Sequence, residues 1–219
     1  RKRHFAPRHW PTVTRVGQMT WSDMHGPLAE DVYFRARYAV VYVDEASRLR
    51  YVVIIKDMSA DAQSTAFKWY RAWLHYWTGE IVCGFMSDGG GAYVANEHRD
   101  LCDETAIQCL TTVAHNHQGN SLPEALWSLA FPRVRAMLLD MFGDTSQREA
   151  FVIRFWALAL VLHVNYVANR LPSTHLDGVS PLQFATGENP TFRWLRAFGT
   201  GLSALVPPEV RGNKTTNFM

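Results

Sequence analysis

Two runs of β-branched and aromatic residues, Tyr38 to Val43 and Leu49 to Lys56, are separated only by the turn sequence DEASR. Strands joined by so short a turn have no room for a crossover, so the two runs are expected to pair as an antiparallel hairpin. The period then changes. Phe67, Tyr70, Leu74 and Trp77 recur at helical spacing, with Ser59 placed as an N-cap and Gly79 as the stop. The next apolar run, EIVCGFMS, is short and bounded by turn residues, which predicts a buried strand ending at Asp88. A short helix over about 93–103, a strand in TAIQCLTT, and helices over about 122–141 and 147–170 follow, while GQMTWSDM supplies a first strand ahead of the hairpin. Consecutive strands pair most easily antiparallel, and strands separated by helices pair parallel through right-handed crossovers. The expectation is an α/β fold: a mixed five-stranded sheet, three antiparallel strands and then parallel additions, flanked by helices.

Composition narrows the class. Hydrophobic residues make up 47% of the 219 and charged residues 19%, which excludes a disordered chain and allows one substantial core. The net charge of +2 does not by itself announce a nucleic-acid binder, although the opening RKRHFAPRHW is a basic lead-in of the kind that contacts phosphate. Cys83, Cys102 and Cys109 form no CxxC pair, so neither a zinc ribbon nor a disulfide framework is expected, and a reducing compartment is the simplest setting. Without an initiator Met or a signal peptide, the chain reads as a fragment of something longer. The apolar stretch Phe151 to Ala168 is interrupted by Arg154, His163 and Asn165 and predicts a buried helix, with no membrane partner.

Three acids stand out. Asp23 lies in the first strand and Asp88 at the carboxyl end of the fourth, the end of an open α/β sheet where ligand sites collect. Each alone reads as an ordinary turn or strand-end residue. The glycines after Asp88 allow a sharp turn and close approach of a substrate. Glu124 lies in NSLPEALW, where Ser121 and Glu124 form a capping box and Pro123 suits a first helical turn. Thirty-five residues separate Asp88 from Glu124.

With that spacing the chain resembles the catalytic core of retroviral-type integrases, and most closely those of copia-type LTR retrotransposons. SDMHGP (22–27) is similar to the family's segment around its first aspartate, YVDEASRLRYVVIIKD to its hairpin, SDGGGAY to the segment around its second aspartate, VNYVANRLP (164–172) to its Tyr, Asn-Arg, Pro signature, and SPLQFATGENPTFRWLRAFG (180–199) to the block that closes the core. The resemblance implies an RNase H-like fold over 15–172, preceded by the lead-in 1–14 and followed by a shortened extension, 173–219. It implies that Asp23, Asp88 and Glu124 are catalytic and hold Mg²⁺ or Mn²⁺. Water would first trim the ends of the element's DNA, and the freed 3′-hydroxyl would then attack target DNA. The implied partners are double-stranded DNA, as element ends and target, and at least one further copy of the chain. The implied setting is the nucleus, with a cytoplasmic particle stage.

Gln118, Asn120 and Arg135 are the candidate DNA contacts. His115 and His117 lack further ligands at finger spacing and read as a polar loop. Trp69, Trp73 and Trp77 read as core or dimer interface, and Arg48 as the partner of Asp44 across the turn. The family commonly has Arg after its catalytic Glu and Glu in its second-aspartate motif, where this chain has Ala125 and Ala92; Ser121 and Ser128 are further departures. They are the ground for an alternative reading, a catalytically decayed relic that binds nucleic acid without turnover. A third reading, an RNase H-like nuclease that cleaves without joining, is opposed by the matches after residue 160.

Overall fold

The computed structural model describes residues 12–88, 96–111, 121–142, 153–193 and 195–200. Its frame is a five-stranded sheet in the order β3-β2-β1-β4-β5, built from β1 (Thr20–His25), β2 (Tyr38–Asp44), β3 (Arg50–Ile55), β4 (Gly84–Ser87) and β5 (Gln108–Thr111). The hairpin pairs antiparallel and β1 pairs antiparallel with β2, whereas β4 joins β1, and β5 joins β4, in parallel. The predicted mixed sheet is the observed one.

β2 explains the layering. Its residues Ala39 to Asp44 are all buried, and alternate side chains enter two different cores. Val40 and Tyr42 face α1 (Ala60–Thr78) with Phe67, Tyr70, Leu74 and Phe85. Ala39, Val41 and Val43 face the other layer, with Leu126, Trp127, Ala130, Val134 and Leu138 of α3 (Ser121–Phe142) and Trp156 and Leu160 beyond it. α1 has the predicted caps: Ser59 Oγ accepts from the Ala62 N–H at 3.2 Å, and Gly79 adopts φ 73°. Its stripe is narrower than the sequence suggests. Trp69 and Trp77 are 55% and 46% exposed, so the core reading of these two is corrected; Trp73 alone packs inward, stacking on Tyr51 at 4.7 Å. The nineteen-residue helix rotates through a full face of the sheet with too few inward positions for every tryptophan.

Other expectations change in detail. The helix expected over 147–170 is an irregular run, α4, made of Ile153–Phe155, Trp156–Ala159, a wide π-helical stretch Leu160–Asn165, and Tyr166–Ala168. Asp44 does not pair with Arg48. Its buried carboxylate accepts from Gly17 N–H at 2.7 Å, Ser47 N–H at 2.8 Å and Ser47 Oγ at 2.6 Å, three short bonds that serve it in place of a guanidinium. α2 (Asn96–Glu104) is tied to β5 by a Cys102–Cys109 disulfide with Cα atoms 6.3 Å apart, against the expectation of three free thiols; Cys83 is free. The seven-residue separation looks unremarkable in the sequence, and the chain reversal after α2 brings the two side chains together. No helix among the described residues is long and apolar enough to cross a membrane.

The Asn-Arg pair of VNYVANRLP has a structural explanation. Buried Asn169 accepts from Arg50 N–H at 2.9 Å and donates to Arg50 C=O at 2.7 Å, occupying the outer side of edge strand β3 much as another strand would. Arg170 lies over the Tyr166 ring at 3.4 Å. Asn169→Ala is expected to strip both bonds and cost about 2 kcal/mol in denaturant melts. Ser or Thr at the same position is too short to restore the pair.

Candidate active site

β1 and β4 run parallel in the register Thr20↔Phe85, Trp21↔Met86 and Ser22↔Ser87. One step further along each strand stand Asp23 and Asp88, side by side at the carboxyl end of the sheet. Alternation fixes the face. Thr20 bonds Tyr70 of α1 at 3.0 Å, so Thr20 and Ser22 belong to the α1 side. Asp23 and His25 therefore belong to the opposite side, where the His25 ring lies 5.5 Å from Trp127 and 4.4 Å from Phe131 of α3. Phe85 likewise faces α1, which directs Asp88 to the α3 side.

Glu124 lies in the first turn of α3 and is exposed. Ser121 is already the first helical residue and not the N-cap, so the predicted Ser121–Glu124 capping box does not form. The position before it, Asn120, lies outside the described residues, as do the Gly89–Gly91 turn, Ala92, His115, His117 and Gln118. Arg135 is exposed further along α3.

Asp23 is the acid that its surroundings perturb. Burial raises the Asp23 carboxyl from 3.8 to about 6, and the charges of Asp88 and Glu124 push in the same direction; the Met24 backbone and the Trp127 indole pull the other way. The Trp127 N–H falls outside strict hydrogen-bonding geometry yet lies near enough to favour the ionised carboxyl. Burial also lowers His25, so its ring is neutral near pH 7. A partly desolvated carboxyl beside two others is an arrangement suited to a hard divalent cation, whose oxygen ligands are ionised carboxylates. Trp127 and His25 were not singled out in the sequence as parts of a site. The usable signals were local: His25 lies two residues beyond Asp23 on one strand face, and Trp127 lies three beyond Glu124 on one helix face.

No protein-family model matches the chain. Among curated proteins it is similar to the retrovirus-related Pol polyprotein from transposon TNT 1-94 of Nicotiana tabacum, 28% identical over 193 residues, covering 88% of this chain and 14% of that protein. It is also similar to the Pol polyprotein from transposon RE1 of Arabidopsis thaliana, 27% identical over 188 residues, covering 85% and 12% respectively. The chain thus spans about one seventh of the length of the first of these relatives. Among solved structures, the magnesium complex of the HTLV-2 integrase catalytic core (trimeric form) matches with a TM-score of 0.52 at 16% identity, over 78% of this chain and 97% of that one. The simian T-cell lymphotropic virus intasome in complex with PP2A regulatory subunit B56 gamma matches with a TM-score of 0.59 at 16% identity, over 94% and 66%. The fold is the RNase H-like fold of integrase cores. The chain is thus similar to one segment of retrotransposon Pol polyproteins, and it has the fold of integrase catalytic cores.

Proposed function

We propose that this core is a metal-dependent polynucleotidyl transferase in which Asp23, Asp88 and Glu124 hold Mg²⁺ or Mn²⁺ and act on double-stranded DNA. The reaction is end trimming of element DNA followed by joining of its 3′-hydroxyl to a target strand. The observation that carries the reading is the Asp23 carboxyl, raised to about 6 with Asp88 and Glu124 both contributing. A carboxyl buried beside two other acids disfavours its own ionised form, and a bound cation reverses that preference. When bound, the metal supplies charge neutralisation at the phosphodiester and a more acidic attacking hydroxyl.

The chain's own residues position this chemistry. Asp23 is paired with Val41 of β2 and stands one residue past the β1–β4 ladder, Asp88 follows β4 directly, and Glu124 is carried by a helix anchored through Leu126, Trp127 and Ala130. Ligands borne on such elements hold their geometry better than ligands on loops. Trp127 and Phe131, packed around His25, wall off the core side of the acids from water. Arg135, with Gln118 and Asn120, is assigned to DNA backbone contact. The related HTLV-2 core is described as a magnesium complex in both trimeric and dimeric forms, which supports a cation and an oligomer here. Action on chromosomal DNA places the work in the nucleus.

A second reading, a nucleic-acid-binding relic without turnover, is favoured by the outward side of α3, where Ala125, Ser128 and Leu129 are exposed in place of basic residues. Glu124→Gln separates the two readings. Gln preserves helix propensity but is a poor ligand for a hard cation. Joining of a short duplex end to plasmid DNA is expected to fall at least about 100-fold, with an unchanged melt in the absence of metal. Wild type that neither joins DNA nor shifts its melting with Mg²⁺ or Mn²⁺ would establish the relic instead.

A further inference from the structure

A second group of metal-ligating side chains lies on the opposite side of β4 from the three acids. His98 and Cys102 are four apart on α2, which sets them on one face of the helix, and Cys109 faces them from β5. Their ligand atoms all lie within 4.8 Å of one another. His98 is 1% exposed, its ring packed between Phe67 and Phe85 at 5.4 and 5.0 Å, so its position is set by the core. Cys102 is buried as well, while Cys109 reaches the surface. Cys102 and Cys109 are among the residues lining a cavity of about 470 Å³ whose other walls include Arg99, Asp103 and Gln108.

We propose that His98, Cys102 and Cys109 form a zinc site that alternates with the disulfide. Two electrons and two protons from a dithiol reductant open the Cys102–Cys109 bond, and the reductant leaves as its own disulfide. Zn²⁺ then displaces the two thiol protons, forming two Zn–S bonds and one Zn–N bond to His98. The set is soft and nitrogen-containing, matched to Zn²⁺ and mismatched to Mg²⁺. Tetrahedral bonds of about 2.0–2.3 Å require donors about 3.3–3.8 Å apart, a separation that opened sulfurs and the imidazole reach with small rotations. Asp103 lines the same cavity as Cys102 and Cys109, and it or water would supply a fourth ligand. Either state ties α2 to β5, and β5 is the direct neighbour of the strand that leads into Asp88. The site is independent of the proposed transferase chemistry.

The test titrates Co²⁺, as a spectroscopic stand-in for Zn²⁺, into the full chain with and without prior reduction by a phosphine. Reduced protein is expected to develop a thiolate-to-cobalt charge-transfer band at one equivalent, which Zn²⁺ bleaches and Mg²⁺ does not. Oxidised protein is expected to show none. Carboxylate sites give no such band, so binding at Asp23, Asp88 and Glu124 cannot mimic it. Cys109→Ser, at the accessible position, is expected to fold and to weaken binding at least tenfold; His98→Gln is expected to weaken it likewise, and Cys83→Ser to leave it unchanged. No band in reduced wild type, an unaltered band in Cys109→Ser, or its loss in Cys83→Ser would each overturn the proposal.

Discussion

Asp23→Asn is expected to lower DNA joining by at least about 1000-fold while making the metal-free protein more stable at neutral pH. The two effects share one cause. Asp23 is held at about 6 in the fold against an ordinary 3.8, so the folded chain binds the proton more tightly than the unfolded chain does. An acid raised in this way penalises folding where it must ionise: the cost is fully present above the folded value, shrinks as pH falls through about 6, and is gone below about 4. The shift corresponds to about 3 kcal/mol, and partial solvent access reduces that to about 1–2 kcal/mol. Asn has the same shape and no charge, so it removes the penalty. Denaturant melts at about pH 8 should show the variant ahead of wild type by this amount, and melts at about pH 4 should show the two together. Mg²⁺ should stabilise wild type increasingly as pH rises past about 6 and leave the variant unmoved. Equal stability of the two proteins at the higher pH would mean that Asp23 is not electrostatically strained. The proposed function would then lose its main support.

The largest expected loss of stability follows Phe67→Ala. Phe67 is fully buried, with ring centroids 4.7 Å from Phe85, 5.8 Å from Tyr42 and 5.4 Å from His98. It is the residue through which α1 meets the centre of the sheet and α2 together. Removing it forfeits the transfer energy of an aromatic ring and leaves a void that residues on three different elements cannot jointly collapse into, at a cost of about 3–5 kcal/mol. The melting temperature should drop by roughly 10 °C or more. Trp69→Ala, two residues along the same helix and 55% exposed, should change stability by no more than about 0.5 kcal/mol. A Trp69 variant as damaged as the Phe67 variant would mean that the outer face of α1 is buried in solution by a second chain.

Much of the fold is legible because burial leaves a period in the sequence. YAVVYV and RYVVII read as strands, and Ser59 and Gly79 bracket a helix whose ends fall where expected. The order of elements then restricts the sheet to a mixed topology, and counting alone puts Asp23 in the first strand and Asp88 at the end of the fourth. Where counting fails, the missing term is a contact from elsewhere in the chain. Gly17, inside the predicted first strand, turns with φ 79° to give its N–H to Asp44 and its C=O to the Cys83 N–H, so the strand starts later, at Thr20. Proximity in sequence pairs Asp44 with Arg48, yet the donors that satisfy it are Ser47 and, from 27 residues away, Gly17.

The sequence by itself determined the order of strands and helices, the caps of α1, and the placing of Asp23 in the first strand and Asp88 after the fourth, because each depends on neighbours a few positions away. Tertiary structure alone decided that the β1–β4 register brings Asp23 level with Asp88, that burial and two neighbouring charges raise Asp23, that Asn169 closes the edge of β3, and that Cys102 meets Cys109 beside His98. Register, desolvation and cross-chain bonding are sums over contacts between segments far apart in the chain, and no local pattern of residue types records them.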